Sequence, residues 1–137
     1  MKLRKEVTEV QEEALSAWDK AGKWGTVILP TGVGKSWLGV MAYRSFGEPP
    51  KTLVITSRIP IVHQWKKLID EELGIDAKID YLCIQSAYKY SAEYDFVIID
   101  EVHRALSPEY RKVFETVKAK HLLCLTATLP DEEEYVE

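Results

Sequence analysis

The chain has 137 residues, 46% of them hydrophobic and 29% charged, with 18 Lys and Arg against 22 Asp and Glu and a net charge of −4. This composition suits one globular domain large enough to bury a core, and it excludes a transmembrane helix, because no apolar run approaches the roughly 18 residues that a bilayer crossing needs. The negative balance argues against a uniformly basic nucleic-acid binder, but five acids lie between Asp131 and Glu137, and setting them aside leaves +1 over residues 1–130.

From Met1 to Glu6 there is none of the apolar stretch of a signal peptide, so an intracellular setting is expected, cytoplasmic or, in a eukaryote, nuclear. Residues 6–21 place Val7, Val10, Ala14, Leu15 and Trp18 at helical spacing, with Gly22 standing where a helix C-terminus favours it. Thr26 to Leu29 read as a short strand, and Lys35 to about Phe46 as a helix stopped by Gly47 and Pro49-Pro50. Thr52 to Thr56 form a β-branched strand. Ile59 to Leu73 repeat apolar residues at helix spacing, with Pro60 in the first turn, where its missing N–H costs little. Ile79 to Ile84 read as a strand, Gln85 to Tyr90 as a short helical piece, Phe96 to Ile99 as a strand, Pro108 to about Lys118 as a helix, and His121 to Leu125 as a strand. Alternation of this kind specifies an α/β domain, a mostly parallel sheet with helices on both faces. Cys83 and Cys124 sit in apolar runs with no second Cys or His at ligand spacing, so both are expected to be buried, reduced strand residues. The acidic end, 131–137, reads as a solvated tail or the start of a linker beyond a domain over 1–130.

Two stretches carry chemistry. The run from Val27 to Ser36 (VILPTGVGKS) leads a strand into a glycine loop and then a helix, so that Gly32 and Gly34 can turn backbone N–H groups inward beside a helix N-terminus. In such a loop Lys35 reaches the β- and γ-phosphates and the Ser36 hydroxyl ligates Mg²⁺. Leu29 occupies the place of the first glycine of the general pattern. The second stretch, Asp95 to His103, delivers Asp100 and Glu101 through four apolar residues to the carboxyl end of a strand, the edge at which open α/β sheets bind ligands. There Asp100 can hold Mg²⁺ through its water shell and Glu101 can polarise an attacking water. Taken singly, each stretch also reads as a turn or a capped strand end; together they favour a nucleotide site.

The loop, the sequence Asp100-Glu-Val-His103 and the sequence Thr126-Ala-Thr128 stand in the order of the first RecA-like domain of superfamily 2 helicases. From about Val7 to Pro130 the chain resembles that domain. Within the superfamily it is similar to the DExH branch, to the xeroderma pigmentosum group B type and to the helicase parts of type III and type I restriction enzymes. The resemblance implies that Thr31, Gly32, Val33, Gly34, Lys35 and Ser36 bind ATP, and that Gln11 recognises the adenine, although Thr8 stands where the family often has an arginine. It implies that Lys35, Asp100, Glu101 and His103 serve hydrolysis, and that Thr126 and Thr128 couple it to movement. Ser57, Arg58, Gln64, Gln85 and Ser86 match positions that touch a nucleic-acid backbone, with Arg58 one place early. Trp65, at helix spacing with Val62 and Ile69, suits the core better than a base-stacking platform. The implied partners are ATP, Mg²⁺, a nucleic acid (DNA ahead of RNA) and a second RecA-like domain, in the same protein or a separate chain, supplying an arginine finger; without it, hydrolysis should be weak. A stand-alone nucleotide-binding or protein-interaction module remains the alternative.

Overall fold

A computed structural model describes residues 2–30, 35–56, 59–74, 78–83, 92–100 and 117–128. Within them the order is α1 (Lys2–Lys20), β1 (Trp24–Pro30), α2 (Lys35–Arg44), β2 (Thr52–Thr56), α3 (Ile59–Glu72), β3 (Ile79–Cys83), β4 (Ala92–Asp100) and β5 (Val117–Thr128). The five strands form one sheet in the order β1-β5-β4-β2-β3, and all of its pairings are parallel. No described helix is long and apolar enough to cross a membrane.

Local chemistry fixes where each helix stops. Gly22 has φ +82° and Lys23 φ +58°. The Lys23 N–H donates to the Trp18 carbonyl and that of Gly22 to Asp19, so α1 ends in the glycine-terminated cap that its sequence announces. Beyond α3, Gly74 likewise has φ +89°. Arg44, in the last turn of α2, donates to the Glu72 carbonyl at 2.8 Å, satisfying an end group of the neighbouring helix.

α1, α2 and α3 all pack on one face of the sheet. Trp18, Leu38, Val40, Ala42, Tyr43, Trp65 and Ile69 meet Val27, Val54, Phe96, Ile98, Leu123 and Leu125 in a single buried cluster. On the opposite face Leu53, Ile55, Val97, Ile99, Leu122 and Cys124 form a second cluster drawn from strands. The helix expected from Pro108, the candidate cover for that face, lies over residues 108–116 outside the described part, as do the helical piece at 85–90 and the tail at 131–137.

Two strands run longer than their apolar cores suggest. Residues 117 and 118, expected to end a helix, are instead the first of β5, where Val117 and Lys118 pair with Ala92 and Glu93 of β4. These leading segments extend past the start of β2, whose first residue, Thr52, pairs with Phe96. At the junction the Lys51 carbonyl accepts from both Asp95 N–H (2.9 Å) and Phe96 N–H (3.1 Å). The alternation shifts by one residue there, so that Tyr94 belongs to the second cluster and Phe96 to the first. β5 shifts in step, with Ala119 on the second face and His121 against Phe46 on the first. The pivot residues Asp95 and Lys120 lie 3.6 Å apart. The Lys51 N–H, 3.0 Å from Asp95 Oδ2, is the main cause holding that carboxyl below the usual range, with Lys120 assisting.

Candidate functional site

Parallel strands bring all their carboxyl ends to one edge, and the strand order decides which ends are neighbours. β5 lies between β1, which leads into the glycine loop, and β4, which ends at Asp100. Ile28 pairs with Thr126 and Pro30 with Thr128 on one side of β5; Asp100 pairs with Leu125 on the other. With strands roughly 4.8 Å apart, the ends of β1 and β4 stand roughly 10 Å from each other with β5 between them. Segments far apart in sequence thus meet across three adjacent strand ends.

Lys35 opens α2, its side chain lying outside the described part, and Ser36 is half-buried in the same first turn. Asp100 is buried, only 4% exposed, at the last position of β4. Thr126 is buried on β5, and Thr128 is the final residue of that strand. Gln11 is buried on α1, an unusual state for a helix amide and one at odds with a plain surface glutamine. Gln64 is exposed on α3. Thr31, Gly32, Val33, Gly34, Ser57, Arg58, Gln85, Ser86, Glu101 and His103 lie outside the described residues.

One interaction of this edge had no signature in the sequence. Trp65 is fully buried on α3, and its indole Nε1 donates to Asp100 Oδ2 at 2.8 Å. Its place in the core follows from helical spacing, but its acceptor, 35 residues away on another element, does not. Gly39, one turn into α2, makes room for the ring: a Cβ there would stand 2.5 Å from Cη2 and 2.7 Å from Cζ3. A glycine in the interior of an otherwise well-formed helix was the available signal, since it costs about 1 kcal/mol relative to alanine unless something packs against it.

The donor set suits a hard divalent cation. Asp100 would offer a carboxylate and Ser36 a hydroxyl, oxygen donors of the kind by which Mg²⁺ is held beside phosphates. Among the described residues no cluster of three or more His, Cys, Asp or Glu forms an all-protein metal cage. Nearby on β5, burial pushes the Cys124 thiol up to about 11, opposed in part by a hydrogen bond with Thr26. That cysteine is a core residue, as its apolar surroundings suggest, whereas Cys83 is only partly buried.

Comparison with known proteins bears on the family and the fold. A family model for the type III restriction enzyme res subunit matches residues 1–83 and 75–131. The chain is 30% identical over 138 residues to the DNA 3′-5′ translocase XPB2 of Sulfurisphaera tokodaii, a match covering 90% of this chain and 31% of that protein. It is 29% identical to the DNA 3′-5′ helicase XPB of Mycobacterium tuberculosis, covering 82% of this chain and 25% of that one. The chain therefore spans about a third or less of the length of these relatives. Among solved structures, the UvsW helicase of bacteriophage T4 superposes with a TM-score of 0.70 at 17% identity, over 90% of this chain and 53% of its own. The Hef helicase domain of Pyrococcus furiosus gives 0.61 at 19% identity, over 89% and 34%.

Proposed function

Since the chain belongs to the type III restriction enzyme res-subunit family and folds as the N-terminal RecA-like domain of a superfamily 2 helicase, we propose that it is the Mg²⁺-ATP-binding half of a DNA motor. The observation that supports the reading is that β5, which carries Thr126, lies between β1, whose end precedes the 31–34 loop and α2 in the chain, and β4, whose last residue is Asp100. In this reading Lys35 and the 31–34 loop bind the β- and γ-phosphates. Ser36 and Asp100 hold the cation, Asp100 through water, Glu101 orients the attacking water, and His103 links the nucleotide site to Thr126 and Thr128. Mg²⁺, when bound, supplies charge neutralisation for the phosphates. Gln11 reads the adenine. Thr126 and Thr128, on the strand between the loop and the acids, relay the state of the nucleotide to the nucleic-acid side formed by Ser57, Arg58, Gln64, Gln85 and Ser86. The names of the relatives favour DNA as the track.

Full turnover requires a second RecA-like domain. An arginine finger is worth about 10³-fold or more in phosphoryl transfer, so the chain alone should bind Mg²⁺-ATP well and hydrolyse it slowly. Calorimetry tests the binding claim: the wild-type chain should bind Mg²⁺-ATP, and Lys35→Ala should abolish binding while the melting temperature is retained. Absence of wild-type binding would refute the nucleotide site. An ATPase titration with single- and double-stranded DNA and RNA, with and without a partner carrying the second domain, tests the motor claim. Hydrolysis undetectable in every combination would remove the motor and leave a nucleotide-binding module.

A further inference from the structure

The bond between α3 and the end of β4 has a role beyond packing. We propose that Trp65 is a positioning residue for the metal-binding carboxylate: its indole N–H fixes the rotation of Asp100, and Gly39 keeps open the space through which the ring reaches it. The inference rests on the Mg²⁺-nucleotide site proposed above.

An indole N–H can only donate, so a buried tryptophan takes whatever acceptor the fold offers. Here the acceptor is the carboxylate at the last position of β4 rather than a backbone carbonyl. The bond is 2.8 Å long and fully buried, which restrains the carboxylate plane more firmly than a solvated contact could. Partners that orient metal ligands from behind in this way typically change metal affinity about 10- to 100-fold when removed. Gly39 adds a second, independent constraint. It lies on the helix that Lys35 and Ser36 begin, and any side chain there would strike the distal edge of the Trp65 ring. The phosphate-binding helix and the carboxylate are thus registered against one indole.

The test is calorimetry of ADP with Mg²⁺ and with EDTA, on the whole chain, for wild type, Trp65→Phe, Gly39→Ala and the double variant. Trp65→Phe should reduce the Mg²⁺-dependent gain in affinity about 10- to 100-fold and leave metal-free ADP binding unchanged. Gly39→Ala should do likewise in the wild type yet add little to Trp65→Phe, because the smaller ring vacates the contact. Wild-type protein that shows no Mg²⁺-dependent ADP binding overturns the nucleotide site and this inference together. Wild-type binding with full Mg²⁺ dependence retained in Trp65→Phe overturns this inference alone. Should Trp65→Phe not fold by circular dichroism, ¹⁵N-indole NMR of the wild type decides. The Trp65 N–H signal should shift when Mg²⁺ is added to the ADP-loaded chain. The signal of Trp18, bonded to the Leu122 carbonyl three residue pairs back along β4 and β5, should not. Equal responses from the two indoles overturn the proposal.

Discussion

Trp18 is the residue whose replacement should reveal how α1 is held. It is 3% exposed, its Nε1 donates to the Leu122 carbonyl at 2.8 Å, and its ring lies 5.5 Å from Phe96 and 6.5 Å from Phe46. The Lys23 ammonium stands 5.4 Å above it and is anchored to Asp19 at 2.5 Å. Trp18→Phe keeps an aromatic ring but deletes the donor, leaving a buried hydrogen bond unmade at about 1–3 kcal/mol. Trp18→Ala also opens a cavity beside Phe46 and Phe96, for a total of about 3–5 kcal/mol, a large part of the roughly 5–15 kcal/mol that holds a domain folded. At about 4 °C per kcal/mol for a chain of this size, Trp18→Phe should lower the melting temperature by about 4–12 °C. Thermal and urea unfolding followed by circular dichroism measure this, with an unchanged urea slope expected if the folded state stays compact. A Trp18→Phe variant that melts within about 1 °C of wild type would refute the claim that this bond anchors the helix.

Thiol labelling and acid titration check two further features. With its thiol raised to about 11, Cys124 carries thiolate on only about one molecule in a thousand at pH 8, so an aromatic disulfide reagent should label Cys83 in the native protein and reach Cys124 only after denaturation; prompt labelling of both would contradict the burial. Because the Asp95 carboxyl titrates below its ordinary range, its contribution to stability is present above the unfolded pKa and is lost as pH falls through the folded one. The difference in melting temperature between wild type and Asp95→Asn should therefore shrink in acid, and a difference that is constant down to pH 2.5 would show that Asp95 is not held by Lys51 and Lys120.

The sequence resolves those parts of the fold whose energetics are local. α1 with its Gly22 cap, β2, and α3 with Pro60 in its first turn appear close to where period and capping place them. The leading segments of β4 and β5 escape a periodicity reading because residues 92–95 and 117–120 mix charged and apolar side chains and change face at Asp95 and Lys120. What makes them strands is their pairing with each other, a long-range cause invisible in either segment alone. The sequence nominates site residues where chemistry demands a residue type at a fixed spacing, as with Lys35, Ser36 and Asp100, and the structure adds that Lys35 opens α2 and Asp100 closes β4. Trp65 was legible as core and illegible as a partner of Asp100, since nothing in a helical repeat says which polar atom a buried indole will meet.

Topology also accounts for the departure of the glycine loop from its general pattern. Leu29 stands where the first glycine is usual, yet it lies inside β1 and pairs with Ala127 in a parallel ladder that continues to Pro30 and Thr128. Extended backbone is open to any L-residue, so the position has no need of glycine's freedom to take positive φ. The strand simply persists through Leu29 to Pro30. In the proposed site glycine is needed where backbone N–H groups would converge on phosphate, a task the proposal gives to positions 32 and 34, between the end of β1 and the start of α2 in the chain. The position of the end of β1 relative to Asp100 depends instead on β5 lying between β1 and β4, and that order is fixed by the pairings of Leu123 and Cys124 on both of their flanks. A leucine at position 29 adds to the β1–β5 ladder, which sets the geometry, and takes nothing from the groups that would touch the nucleotide.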